Sequence, residues 1–201
     1  MDKIVEIKRK GGVATLTFFS GETVRVPSAV YLERRPHVNQ PMDPEAYRLF
    51  ARQRGYPHAL EAAMKFLALR ERSCQEVRSR LRRSCYDPET IDRVIDTLSA
   101  HSLLSDSRFA GEWVTHRARK YGRNRIAQEL RMKGVSGTEA QAALDGLSED
   151  QEWEQAVQQA RKLARRLRDD PKKIAQALVR RGYAWPLARR AAEAAAKGED
   201  E

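Results

Sequence analysis

Basic residues in the last third of the chain are the side chains best suited to binding chemistry. Residues 161–190 hold 11 Lys and Arg against two Asp and Glu, directly after residues 134–160, which hold six carboxylates and no Lys or Arg. The formal net charge of all 201 residues is +10. Because a guanidinium binds phosphate or carboxylate through two hydrogen bonds, we expect the chain to bind nucleic acid or a partner that carries it.

A solvated basic face is the ordinary explanation for such a run of charge. Here the charges are clustered and rich in arginine, and within the predicted helix 149–168 no carboxylate lies four residues from any of them. Arg78 and Arg82, four residues apart, are expected on the exposed side of an earlier helix. The candidate residues for binding DNA or its protein partner are Arg70, Arg72, Arg78, Arg82, Arg117, Arg119, Arg123, Arg125, Arg161, Arg165 and Arg168.

Residue patterns typical of enzymes and metal sites are absent from the sequence. It contains no Gly-rich phosphate loop, no Gly-x-Ser-x-Gly and no His-Glu-x-x-His. Its histidines show no ligand spacing, and a helix over 73–84 would separate Cys74 from Cys85 by about 16 Å, too far for a disulfide. We therefore expect no catalytic residue, metal or cofactor, and reduced thiols.

No apolar run approaches the roughly 20 residues that span a bilayer. The charged opening, MDKIVEIKRK, is also unlike a signal peptide. The sequence therefore predicts a cytoplasmic protein with no membrane partner.

Three stretches of the chain, residues 72–98, 121–147 and 169–195, resemble one another at spacings of 49 and 48 residues. Each contains an apolar pair at i and i+4, the stripe of a short helix: Val77 with Leu81, Ile126 with Leu130, and Ile174 with Leu178. Gly134 and Gly182 follow where a left-handed glycine commonly ends a helix.

The pattern predicts a mainly α protein, an elongated tandem array of three-helix repeats with a small N-terminal β-hairpin or meander extension. Strands are expected at 3–9, 13–19 and 23–26, and a short helix at 44–53 with Asp43 as its N-cap. The repeat helices are expected at 59–70, 73–84, 87–101, 106–120, 123–133, 137–146, 149–168, 170–181 and 185–197. The predicted segments are 1–40 (extension), 41–58 (linker and short helix), 59–105 and 106–147 (repeats one and two), and 148–201 (repeat three with a frayed acidic tail).

Two stretches match a known family in residue types and spacing. ALEAAMKFLALRERSCQEVRSRL (59–81) and LLSDSRFAGEWVTHRARKYGRNRIAQELRMKGV (103–135) resemble the RecX regulatory proteins of bacteria. The resemblance covers roughly residues 59–147. Its positions are Arg70, Arg72, Ser73, Glu76, Leu81, Asp106, Phe109, Ala110, Trp113, Arg117, Gly122, Glu129, Leu130, Lys133 and Gly134. Cys85 stands where the family usually has the glycine of a helix end, so the resemblance predicts a different helix end there.

The resemblance implies a non-enzymatic modulator of the RecA recombinase. RecX proteins are built from tandem three-helix units, bind along the helical groove of the RecA filament on DNA, and typically depress its ATP hydrolysis and strand exchange. We therefore expect a monomer acting in homologous recombination, DNA repair and the SOS response. Its expected partners are the RecA filament and single-stranded DNA, with double-stranded DNA left open.

Two other functions stay open from the sequence. The helical units could be helix-turn-helix modules that read duplex DNA, although no short polar recognition helix is obvious. The array could instead be a scaffold whose basic faces are merely solvated. Binding of a palindromic duplex by a dimer would favour the first, and retention on single-stranded DNA at moderate salt would count against the second.

Overall fold

The structure, a computed structural model, describes residues 1–197, with the backbone but not the side chain of Lys197. The acidic tail that was predicted to fray falls largely on residues 198–201, outside the described residues. The chain divides into two compact units, Met1–Ser105 and Asp106–Glu201.

Unit 1 begins with an antiparallel sheet. The predicted meander is confirmed as β1 (Asp2–Lys10), β2 (Val13–Phe18) and β3 (Thr23–Pro27), and a two-residue strand β4 (Pro41–Met42) pairs with the start of β1, in the order β3-β2-β1-β4. Leu16 lies opposite Ile7 on β1 and Val24 on β3, so alternate side chains reach one face. That face packs on Tyr47, which is fully buried.

Four helices complete the described structure of unit 1. They are α1 (Ser28–Arg34), α2 (Pro44–Leu67), α3 (Cys74–Arg83) and α4 (Pro88–Ala100). The sequence did not predict α1 or β4. Side chains cap the starts of α3 and α4, since Ser73 accepts from the Glu76 amide at 3.1 Å and Asp87 accepts from the Thr90 amide at 3.0 Å.

The predicted separation into helices at 44–53 and 59–70 is wrong, because α2 runs unbroken through Pro57 to Leu67. Asp43 caps it as expected, with its carboxylate accepting from the Glu45 amide at 3.0 Å. Gly55 is buried, and a Cβ there would lie 3.6 Å from the Thr90 hydroxyl on α4. Close packing on α4 therefore maintains the helix despite the hydrogen bond that Pro57 removes.

Unit 2 is helical throughout its described part. Its helices are α5 (Asp106–Ala118), α6 (Arg123–Met132), α7 (Gly137–Asp145), α8 (Glu149–Leu167), α9 (Pro171–Arg180) and α10 (Trp185–Lys197). Apart from α2, the repeat helices agree with the predicted bounds to within two residues at each end. The predicted fold class is therefore confirmed: mostly helical, with a small N-terminal antiparallel sheet.

The aligned apolar positions are buried in all three repeats. Val77, Leu81, Ile126, Leu130, Ile174 and Leu178 each have 0% of their surface exposed. The three pairs belong to separate apolar clusters, spanning residues 59–104, 109–144 and 156–195. The repeat register read from the sequence is therefore confirmed.

All three aligned helices end in the same geometry. Gly134 and Gly182 have φ of 79° and 91°, as predicted, but Cys85 also has φ of 62°, so the different helix end expected there is wrong. The Tyr86 amide donates to the Leu81 carbonyl at 3.3 Å, as the Val135 and Tyr183 amides donate to their own helices. This capping compensates for the roughly 1–2 kcal/mol that a left-handed non-glycine residue costs.

In unit 2, the turn before α6 lies directly against the turn after α9. The Gly122 amide donates to the Arg181 carbonyl at 3.0 Å, and the Asn124 amide donates to the Gly182 carbonyl at 3.1 Å. A Cβ on Gly122 would lie 2.5 Å from the Gly182 backbone. We call this contact the glycine junction, and it requires that neither glycine carry a side chain.

We predict that Gly122→Ala lowers the free energy of unfolding by about 1–3 kcal/mol or more, because backbone must shift to relieve the overlap. Gly111→Ala is the matched control. Gly111 lies within α5, and an added Cβ there meets nothing within 4 Å, so this change should raise stability by up to about 1 kcal/mol. Urea unfolding compares the two variants, and equal effects would show that the turns are not in close contact.

Candidate functional site

The candidate arginines of the predicted helix 149–168 lie on the solvent side of α8. Arg161 and Arg165 are exposed, as is Arg168, which ends the helix in a left-handed conformation with φ of 53°. Lys162 and Arg166 are exposed beside them. None of the five forms an ion pair with a described residue. The opposite face of α8 packs Ala156, Ala160, Leu163 and Ala164 into the core. We call these five residues the α8 stripe.

Arg117, by contrast, forms hydrogen bonds to a buried carboxylate. Its Nε and Nη2 donate to the two oxygens of Glu129 at 2.7 and 2.5 Å. Glu129 is 9% exposed and also accepts from Trp113 Nε1 at 3.2 Å and from Arg125 Nε at 3.3 Å. The network joins α5 to α6 within unit 2.

The charges of this network follow from its hydrogen bonds. Burial opposes the charged form of Glu129, but the bonds and charges of Arg117 and Arg125 outweigh it and hold the pKa of the carboxyl below its ordinary value. The same bonds raise the pKa of the Arg117 guanidinium. The guanidiniums of Arg117 and Arg125 also lie 4.2 and 4.3 Å from the centre of the Tyr121 ring, a favourable cation–π arrangement.

Arg123 holds helices of unit 2 together. Its backbone amide and Nε donate to the Glu152 carboxylate at 3.2 and 2.8 Å, and its Nη1 donates to the Leu144 carbonyl at 2.9 Å. Its Nη2 donates to the Leu147 carbonyl. Arg123 therefore connects α6 to α8 and to the end of α7, and little of it remains for a ligand.

Arg119 differs from these neighbours because its side chain is exposed and has no partner among the described residues. Only its backbone carbonyl is engaged, accepting from Gln159 Nε2 at 2.9 Å. Of the four candidates in the middle repeat, Arg119 alone leaves its guanidinium unengaged by the described residues.

The unit 1 candidates likewise include arginines with partners and an exposed arginine. Arg70 donates to Glu76 at 3.3 Å, and the Arg72 guanidinium lies 3.9 Å from the centre of the Phe66 ring, where burial lowers its pKa. Arg78 forms an ion pair with Asp92, and its side chain is only 29% exposed, so the expectation that Arg78 lies on an exposed face is wrong. Arg82 is exposed, as predicted.

The eleven candidates thus differ in the unit to which they belong and in whether they have a described partner. Arg70, Arg72, Arg78 and Arg82 belong to unit 1, and Arg117, Arg119, Arg123, Arg125, Arg161, Arg165 and Arg168 belong to unit 2. Sequence reasoning did not assign a role to Glu129 or Gln159, the buried polar residues that engage several of these arginines. The signal for Glu129 was available, because Arg125 lies four residues before it on the same helix.

Metal-binding clusters, disulfides and membrane-spanning helices are absent from the described residues. Within residues 1–197, no group of three or more His, Cys, Asp or Glu could hold a metal ion. Neither Cys74 nor Cys85 forms a disulfide among the described residues. No helix of the described part is long and apolar enough to cross a membrane.

Comparison with known proteins points to one family. Two family models match, one for the first three-helix domain of RecX at residues 59–98 and one for its second three-helix domain at residues 105–144. Regulatory protein RecX of Halorhodospira halophila is 36% identical over 149 residues, which cover 70% of this chain and 89% of that protein. The Cronobacter sakazakii protein of the same name is 34% identical over 146 residues, covering 66% and 88%.

Solved structures share the fold. A crystal structure of regulatory protein RecX superimposes with a TM-score of 0.65 at 21% identity, over 96% of this chain and all of that chain. RecX from Lactobacillus salivarius gives 0.63 at 24% identity, over 70% and 96%. At these identities the similarity establishes the fold alone.

We predict that Glu129→Gln lowers the free energy of unfolding by about 3 kcal/mol at neutral pH, the lower end of the range for breaking a buried pair, because Arg117 keeps some access to water. A carboxyl with a depressed folded pKa stabilises above its unfolded pKa and loses this effect as the pH falls through the folded pKa. The difference in free energy of unfolding between wild type and variant should therefore shrink as the pH falls below the ordinary glutamate pKa.

The control is Asp92→Asn, which breaks the more exposed pair with Arg78. It should lower the free energy of unfolding by less than about 1 kcal/mol. A wild-type–variant difference that does not change with pH in chemical denaturation would contradict the charged network.

Proposed function

Because this chain belongs to the RecX family of regulatory proteins, we propose that it regulates the RecA recombinase. In this proposal it binds along the helical groove of the RecA filament on DNA and depresses ATP hydrolysis and strand exchange. It acts without catalytic residues or cofactors, as a cytoplasmic monomer in recombination, DNA repair and SOS control. The family resemblance supports the choice of partner.

The observation that carries this proposal is the contrast between paired and unpaired arginines. Arg117 and Arg123 already have carboxylate partners, so binding a phosphate would require breaking an existing ion pair. The α8 stripe has no such partners among the described residues, so contact with DNA phosphates gains charge interactions and releases counterions without that cost. A filament formed on DNA supplies such a polyanion.

We also propose that the three-helix segments act as successive repeats on the filament. These are residues 59–105, 106–147 and 148–201, preceded by the extension at 1–40 and the linker region at 41–58. Each repeat has its own apolar cluster, which supports this division. A helix-turn-helix protein on duplex DNA remains the competing function, and the experiments below distinguish it.

Adding this protein to the cognate RecA on single-stranded DNA should slow ATP hydrolysis at amounts well below one molecule per RecA, because blocking one growing end affects many subunits. A coupled ATPase assay measures the effect, with this protein alone as the control. Unchanged RecA activity at equimolar protein would contradict the regulatory proposal, and ATP hydrolysis by this protein alone would contradict the absence of catalysis. Tight binding of a palindromic duplex without any effect on RecA would favour the helix-turn-helix function.

Replacing Arg161, Arg165 and Arg168 together with glutamine should weaken binding to RecA filaments formed on DNA. The slope of log affinity against log salt concentration should flatten by up to about three, at roughly one per phosphate contact. The charge-matched control replaces Arg25, Arg52 and Arg131 with glutamine. These three arginines are exposed and have no described partner. If the stripe variant keeps full affinity and an unchanged slope, the stripe is a solvated face. The contacts must then be sought around Arg117, Arg119, Arg123 and Arg125.

A further inference from the structure

A cleft of about 590 Å³ opens in unit 2 between the end of α5, the middle of α8 and the end of α9. Four cationic residues line it: Arg119 and Lys120 after α5, Lys162 on α8, and Arg181 after α9. Three glutamine amides and Tyr121 complete the lining, which includes no carboxylate. The cleft therefore concentrates positive charge contributed by both three-helix halves of unit 2.

The cleft has a fixed floor. Gln159 is 5% exposed, and its amide donates to the Arg119 carbonyl at 2.9 Å while its oxygen accepts from Arg181 Nη1 at 2.5 Å. The glycine junction holds the same turns together, since the Gly122 amide donates to the Arg181 carbonyl. The cationic side chains are therefore presented from a preorganised backbone.

These charges lack neutralising partners among the described residues. Arg119, Lys120 and Lys162 are exposed and form no described ion pair, and Arg181 is hydrogen-bonded to an amide, which carries no charge. Like charges that line one cleft repel one another, and a bound anion would remove this repulsion. Phosphate suits the lining well, since guanidinium, ammonium and amide groups all donate to its oxygens.

The cationic surface continues beyond the cleft. Arg166 lies one helical turn after Lys162 on α8, about 6 Å along the axis, with Arg165 beside it. A free nucleotide would leave this continuation unused, whereas an extended polyanion would occupy both. The cleft itself has the volume of a small-molecule pocket, about 300–1,000 Å³, which admits a single strand but not the full width of a duplex.

We propose that this cleft is a binding site for the phosphodiester backbone of single-stranded nucleic acid. Phosphates lie between Arg119, Lys120, Lys162 and Arg181, and the amides of Gln155 and Gln158 donate to phosphate or sugar oxygens. The strand leaves the cleft along Arg165 and Arg166. This site deepens the proposed function, on which its biological role rests, because it specifies where unit 2 would contact the DNA.

The test uses the full chain and a labelled 20-nucleotide oligo(dT), with fluorescence anisotropy at several salt concentrations and no RecA present. The cleft variant carries Arg119→Gln and Lys162→Gln. The control variant carries Arg131→Gln and Lys172→Gln, which removes one Arg and one Lys at exposed positions that do not line the cleft. Circular dichroism and urea unfolding should show that both variants are folded, because none of the four side chains has a described partner.

We expect the cleft variant to bind about tenfold more weakly and its salt slope to fall by about 1.4, at roughly 0.7 per phosphate contact for single strands. The control should lose less than about threefold, because distant exposed charges are screened. Equal losses in both variants would overturn the site, since the attraction would then come from overall charge. Two competitors distinguish other ligands. If ATP displaces the oligonucleotide at the same phosphate concentration, the site binds free nucleotides, and if an oligoglutamate of equal charge does so, it binds acidic peptides.

The same assay separates this site from the regulatory proposal. If the cleft variant binds oligo(dT) like the control while wild-type protein still inhibits RecA, the cleft assignment fails and the regulation stands. If the cleft variant loses oligonucleotide binding while wild-type protein has no effect on RecA, the site stands and its assigned role in RecA regulation fails.

Discussion

The glycine junction is the contact on which the arrangement of unit 2 depends. Because Gly122 and Gly182 carry no side chains, the turn before α6 and the turn after α9 come close enough for two backbone hydrogen bonds. Arg123 then reaches Glu152 and the carbonyls that end α7, and Gln159 reaches the Arg119 carbonyl. A methyl group at either glycine would separate these turns. The two three-helix bundles of unit 2 therefore meet through backbone and buried polar contacts, and the cations at their ends face one cleft.

The arginines of this chain fall into two classes with different physical roles. Arg117 and Arg123 are held by carboxylates and carbonyls in partly buried networks, where removing one partner would leave a charge poorly solvated. Their contribution is to position helices. Arg119 and the α8 stripe have no such partners among the described residues, so their charges are available to an external polyanion. Net charge alone does not separate these classes, since a paired arginine and an unpaired one count equally toward the +10.

The sequence allowed most helices, the meander and the repeat register to be predicted, because their signals are local. Ser73 and Asp87 cap helices, and the i and i+4 apolar pairs show which side of each helix is buried. The errors arose where distant residues decide the outcome. The continuity of α2 depends on packing against α4, and the left-handed Cys85 is stabilised by capping. The state of each arginine depends on partners such as Glu152, 29 residues from Arg123, and the floor of the cleft depends on Gln159, 40 residues from Arg119. No periodicity or motif encodes such pairs.

In the proposed function, unpaired cations gathered in unit 2 enable a RecX protein to act on a RecA filament formed on DNA. The most direct measurement is a titration of RecA ATPase activity on single-stranded DNA, comparing the variant with Arg119→Gln and Lys162→Gln to the variant with Arg131→Gln and Lys172→Gln. Both variants carry the same net charge. We expect that about tenfold more of the cleft variant is required for half-maximal inhibition, while the control inhibits nearly as well as wild type. Equal inhibition by the two variants would contradict it.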